Sequence, residues 1–171
     1  MNPHPLVTQL RFARSEFARC LDGVSEEDGQ RRIEPMNCIS WLVGHLASQE
    51  HIYWVMQAQG KSLVPDLHKL VGWGSEPNTP PLDEMWGLWR EITDAADVFL
   101  DGLTRHQLGV HMEWRGELLR ESIGTMLYRN TYHYWFHTGE AHAIRQMFGH
   151  TNLPQFVGDM SAALYSPDFE H

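Results

Sequence analysis

Apolar residues recur at intervals of three and four in four runs of this chain, and glycine or proline closes each run. The first run is Leu6, Leu10, Ala13, Phe17, Cys20 and Val24, one face of a helix that closes near Gly23. The SEED segment at Ser25 reads as a short capped turn. Pro35 and Asn37 then open a second long helix, with Asn37 as its N-cap and Gly60 as its stop. A third begins near Pro81, with Leu82, Met85, Trp89, Ile92, Ala96, Phe99 and Leu103 along its seam. The fourth runs from about Glu121 to Phe148 and stops at Gly149.

The proline- and glycine-rich stretch GKSLVPDLHKLVGWGSEPNTPP separates the second and third runs. It can span the length of a bundle, so its flanking helices need not be antiparallel neighbours. TRHQLGVHMEWRGELLR, before the fourth helix, is polar and partly extended. The tail, with Pro154, Gly158 and Pro167, reads as loop with one short helix. The expected fold is all-α, a four-helix bundle with a long crossover connection between helices 2 and 3. It forms a single domain over residues 1–171.

Charge narrows the function classes. With 22 acidic against 13 basic residues the net charge is −9, and no basic surplus exists to neutralise nucleic acid. A small acidic ligand held by one or two arginines stays open. Cys20 and Cys38 form no CxxC pair and cannot staple a domain of this size, which points to a reducing compartment. The start of the chain lacks a secretory signal, and no run of ~20 apolar residues offers a membrane span. A cytoplasmic, soluble protein is expected.

One face of the fourth helix breaks the apolar rule. Its seam reads Ile123, Met126, Asn130, His133, His137, Glu140, Ile144 and Met147, apolar at both ends and polar in the middle. The second helix carries Cys38, Leu42, His45, Gln49, Ile52 and Met56, again with polar groups towards the interior. Ligand sites in bundles are built from side chains on facing helices at one depth. His133 and His137, four apart, place both imidazoles on one face, and such a pair holds an ion at ~2.0–2.1 Å per nitrogen once a third ligand arrives. His45 is the candidate third ligand. Three neutral histidines leave the ion its charge and an open position, whereas a closed structural site takes four protein ligands.

The bland alternatives are specific. A lone histidine on a helix is more often a hydrogen-bonded or surface residue than a ligand. His142 points off the shared face, and His4, His68, His106, His111, His150 and His171 fall in loops or at ends and read as solvated. Glu140, one turn beyond His137, is the first choice for a catalytic proton carrier; it also suits orienting a histidine ring or pairing with an arginine. Gln49 and Asn130 either position a substrate or satisfy each other in the core. No H-E-x-x-H is present, so the general base stays unassigned, and the absence of E-x-x-H excludes a ferritin-type di-iron site.

The pieces NCISWLVGHLASQEHIYW and YHYWFHTGEAHAIRQMFGH resemble the two signature regions of the DinB-like superfamily of metal-dependent four-helix bundles. The family's W-L-x-x-H-L falls on His45, and its H-x3-H-x-G, followed by an arginine and a glycine, on His133, His137, Gly139, Arg145 and Gly149. The resemblance implies a divalent transition metal, zinc or nickel, on His45, His133 and His137, and a homodimer. It implies reaction class only loosely, because related folds include thiol-dependent S-transferases, a maleylpyruvate isomerase and hydrolases. The expected function is a metal-dependent hydrolase or thiol S-transferase acting on a small molecule, possible cofactors including a low-molecular-weight thiol. The alternative is a non-catalytic bundle that binds a small molecule or metal.

Overall fold

Helix α1, Pro5–Cys20, begins where His4 turns its ring back on the chain and its Nδ1 accepts from the Leu6 amide at 3.2 Å. His4 is therefore buried rather than solvated as its place near the end of the chain suggested. The structure, a computed structural model, describes residues 3–165. Pro167 and His171 lie outside the described residues. Val7, Leu10, Ala13, Phe17 and Cys20 are all buried, as the spacing of three and four requires.

The short helix α2, Glu26–Gln30, is capped by Ser25, which accepts from the Asp28 amide. Helix α3, Ile39–Glu50, follows. Its N-cap is Cys38, not Asn37, and no side chain closes this end. Beyond Glu50 the helix widens into a π-helical segment, His51–Gln57, before Gly60 ends it in a left-handed conformation at φ 65°. Hydrophobic periodicity carries no signal for that change of pitch.

The crossover holds one turn of helix, α4, Leu67–Val71. Helix α5, Leu82–Leu100, then starts after Pro81, which as N-cap offers no side-chain acceptor. Glu26 of α2 supplies one instead, accepting from the Leu82 and Asp83 amides at 2.6 and 3.2 Å. Gly44 of α3 is packed too closely to carry a side chain: an added Cβ would lie 2.5 Å from Met85 Sδ and 3.1 Å from Val71 Cγ1. Despite the length of the crossover, α3 and α5 pack directly on each other.

A one-turn helix α6, Arg105–Leu108, carries a Thr104–Gln107 capping box. The polar stretch after it forms an antiparallel hairpin, β1 (His111–Trp114) and β2 (Glu117–Ser122). Arg115 and Gly116 form its two-residue turn, both with positive φ, 55° and 84°, the conformation that matches strand twist. The partly extended expectation holds here, and the hairpin is the departure from a purely helical chain. Helix α7, Ile123–Met147, starts at Ser122 and ends before Gly149 at φ 80°. A single 3-10 turn, Met160–Ala163, lies in the tail.

The result is a predominantly helical fold with a helical bundle at its core. Helix α1 packs on α7, α3 on α5, and α3 also meets α7. Ile123, Met126, Leu127, Ala141 and Ile144 anchor α7 at its two ends. Fully burying the isoleucine, leucine and methionine side chains among them contributes roughly 1.5–3 kcal/mol each. That apolar frame holds the polar middle of α7 against α3. No helix among the described residues is long and apolar enough to cross a membrane.

Candidate metal centre

His45 on α3 meets His133 and His137 on α7, and the three rings turn their Nε2 atoms to one point. His45 Nε2 lies 3.1 Å from His133 Nε2, which lies 2.9 Å from His137 Nε2. One nitrogen from each ring lies within 4.8 Å of the other two. Nitrogens ~2.0–2.1 Å from one tetrahedral ion stand about 3.3 Å apart, close to this spacing. His137 is buried, and His45 and His133 are half-buried.

The opposite side of every ring is occupied. His45 Nδ1 donates to the Val71 carbonyl at 2.7 Å, His133 Nδ1 to Gln49 Oε1 at 2.7 Å, and His137 Nδ1 to Glu140 Oε2 at 2.7 Å. A neutral imidazole carries one proton. With each Nδ1 facing an acceptor, all three protons sit there and all three Nε2 lone pairs face inward. Such lone pairs repel one another, and a cation shared between them removes the repulsion. The donor set fits a divalent transition metal.

Burial keeps two of the rings, His45 and His133, in the neutral form. Burial, reinforced by the His137 ring, pushes His45 down to about 4 despite its carbonyl partner. Burial, then His137 and His45, pushes His133 down to about 3. Both rings are neutral near pH 7, as ligands must be.

The sequence placed four of these groups and left Gln49 and Asn130 with two alternatives. Asn130 Nδ2 donates to Gln49 Oε1 at 3.0 Å, so they satisfy each other, and Gln49 also holds His133. His142 packs its ring on Phe156, away from the cluster. Of the remaining histidines, His68, His106 and His111 are exposed, while His150 is half-buried between Arg145 and Asp28. Sequence reading missed Trp41, stacked on His45 at 4.5 Å between centroids, although it stands in the same W-L-V-G-H-L motif. It also missed the Val71 carbonyl, for which a sequence carries no signal. His51 escaped notice as well; it is buried, and its Nε2 accepts from the Leu63 amide at 3.0 Å.

His45 and His133 open onto a cavity of about 1160 Å³. Ile52, Met126, Tyr132 and Phe136 give it apolar walls, and Trp73 stands at its edge, 95 % exposed. Arg129, paired through two nitrogens with Glu121, and Arg120 also line it. Burial raises the Tyr53 hydroxyl above its usual range, so it enters the cavity protonated.

A sequence model described as the DinB superfamily matches residues 9–141 of this chain. The chain belongs to the DinB superfamily. That span takes in His45, His133, His137 and Glu140. It ends before Arg145 and Gly149, so two positions of the resemblance lie outside it. Arg145 is buried there and donates to the Cys20 carbonyl and to His150 Nδ1. No curated protein matches this DinB superfamily chain.

Proposed function

We propose that the chain is a metal-dependent enzyme of the hydrolase or thiol S-transferase class, acting on a small molecule taken into the cavity beside His45 and His133. The observation that carries this reading is the orientation of the three rings: every Nδ1 faces an acceptor oxygen and the three Nε2 atoms meet at one point. His45, His133 and His137 are the ligands in this reading, and zinc or nickel suits their imidazole set. The bound ion supplies Lewis acidity, which makes a water or a low-molecular-weight thiol nucleophilic near neutral pH.

The chain's own residues do the rest. Val71, Gln49 and Glu140 hold the rings by their Nδ1 protons and raise the basicity of the opposite nitrogens. The geometry favours Glu140 as a positioning residue that works through His137, ahead of the direct proton carrier that its sequence position suggests. Tyr53 has a proton to donate to a substrate oxygen. The apolar walls suit an apolar part of a small-molecule substrate. Family membership supports a homodimer; a length of 171 residues supports a single domain, and two cysteines that form no disulfide support a cytoplasmic setting.

Metal analysis of protein purified without metal resin tests this. About one equivalent of zinc or nickel is expected, and less than about a tenth overturns the reading. Turnover of an electrophilic acceptor with a thiol or water, abolished in His137→Ala with its helical content intact, separates an enzyme from a non-catalytic binding bundle.

A further inference from the structure

His45 and His137 are oriented by groups that can only accept, a backbone carbonyl and a carboxylate. His133 is oriented by an amide, which presents either an oxygen or an NH2 group at nearly the same place. Were Gln49 turned over, His133 Nδ1 would accept, its proton would move to Nε2, and that proton would point at the place where the three rings meet. Neither Gln49 nor His133 decides between these arrangements.

The decision is made deeper in the core. The Trp54 indole N–H is a donor and never an acceptor, and Trp54 is wholly buried. It donates to Asn130 Oδ1 at 2.7 Å. Asn130 must therefore turn its NH2 to Gln49, which receives it on Oε1 at 3.0 Å. The same oxygen stands 2.7 Å from His133 Nδ1, so that nitrogen can only donate. Each bond fixes the sense of the next, and the series ends on a lone pair at His133 Nε2.

Trp54 reaches Asn130 because the helix changes pitch. Residues five apart on an α-helix point about 140° away from each other, so Trp54 and Gln49 would face different sides. The π-helical segment His51–Gln57, which begins two residues after Gln49, turns less per residue than an α-helix and carries Trp54 round towards the side of Gln49. Asn130 then meets both side chains.

We propose that Trp54 and Asn130 are positioning residues that set the tautomer of His133 through Gln49, and so decide whether this ring can hold a metal ion. The consequence for metal rests on the proposed function; the tautomer itself does not. Ring-nitrogen NMR of metal-free protein with 15N-labelled histidine reads it directly. A protonated Nδ1 and a bare Nε2 are expected at His133, and the reverse overturns the proposal.

Two near-isosteric variants extend the test. In Asn130→Asp, read at a pH where the new buried carboxyl is ionised, both carboxylate oxygens accept, which forces the Gln49 NH2 towards His133. The His133 tautomer is then reversed and zinc affinity falls about 100-fold. Gln49→Glu accepts from both neighbours and so keeps the wild-type tautomer, and its carboxylate strengthens His133 as a ligand, so zinc affinity does not fall. Equal losses in the two variants, or an unchanged tautomer in folded Asn130→Asp with its carboxyl ionised, overturn the proposal. Should Asn130→Asp not fold, Trp54→Phe, which removes the donor that fixes Asn130, is read instead: a mixed His133 tautomer is expected, and an unchanged one overturns the proposal. A wild-type protein with the expected tautomer that takes up no zinc upholds the relay and removes the metal reading instead.

Discussion

The Tyr134 hydroxyl donates to Glu50 Oε1 at 2.7 Å, one residue along each helix from the 2.7 Å bond between His133 and Gln49. Gln49 and Glu50 are consecutive on α3, and His133 and Tyr134 are consecutive on α7. One bond lies at the metal centre. The other lies in a buried network where Glu50 is paired with Arg14 and Trp89 donates to the Tyr134 oxygen at 2.8 Å. A slip of one helix along the other breaks both bonds at once. The register that brings His45 to the His133–His137 pair is therefore held from two sides.

Tyr134→Phe tests that lock. It strips the Trp89 indole of its acceptor and Glu50 of one donor, while Arg14 keeps Glu50 paired. Leaving a buried polar group unsatisfied costs about 1–3 kcal/mol, and denaturant unfolding should show a loss in that range. Zinc affinity should fall with it, although Tyr134 touches no candidate ligand. Unchanged affinity at lowered stability would show that the Gln49–His133 bond holds the register alone.

Gly44 supplies a second test, through backbone approach. A methyl group there meets Met85 and Val71, and Val71 carries the carbonyl that orients His45. Overpacking of this kind costs typically about 1–3 kcal/mol. Gly44→Ala should lower the unfolding midpoint and weaken metal binding, because Met85 on α5 must shift and Val71 on α4 must give way by a few tenths of an ångström. Gly139, exposed in the middle of α7 where an added Cβ meets nothing within 4 Å, is the control: Gly139→Ala should raise the unfolding midpoint through the roughly 0.5–1 kcal/mol helix preference of alanine and leave metal binding nearly unchanged.

These two variants also mark where the sequence stops being informative. The seam of α7 exposed the polar layer because a 25-residue helix with regular pitch keeps its faces in register. Pairing His45 with it required only equal depth on a second helix. Trp54 stayed hidden because the π-helical segment rotates it onto a face that α-helical spacing assigns elsewhere. Val71 stayed hidden because a carbonyl acceptor depends on backbone path and not on residue type. His4 was misjudged by its position near the end of the chain, which does not reveal that its ring caps α1.

The docking of the tail should depend on pH through Glu16. This carboxylate accepts from Arg19 at 2.7 Å and from the Gly158 amide at 2.9 Å, and the Arg19 bond, then that amide, hold its pKa below the usual carboxylate range. A group with a depressed folded pKa stabilises above its unfolded value, about 4.3, and loses that contribution as pH falls through the folded value. Hydrogen exchange at Gly158, corrected for intrinsic rate, should therefore be protected near neutral pH and lose protection in acid. Glu16→Gln should be less protected at neutral pH and show a flatter profile.

Glu140 carries the last prediction, because its two roles separate in measurement. Its carboxylate accepts from His137 Nδ1 at 2.7 Å, and a partner of that kind fixes ring orientation and strengthens the opposite nitrogen as a ligand. If it works through His137, Glu140→Ala weakens zinc binding about 10- to 100-fold, and saturating metal restores most of the turnover. Glu140→Gln, which keeps a neutral acceptor oxygen, should fall between wild type and alanine. A direct proton carrier gives the opposite pattern. Metal affinity would then stay near wild type in Glu140→Gln while kcat falls about 100-fold or more, and added zinc would restore nothing. Zinc titration and saturated turnover on the same two variants therefore assign the carboxylate, with the 2.7 Å contact favouring the first outcome.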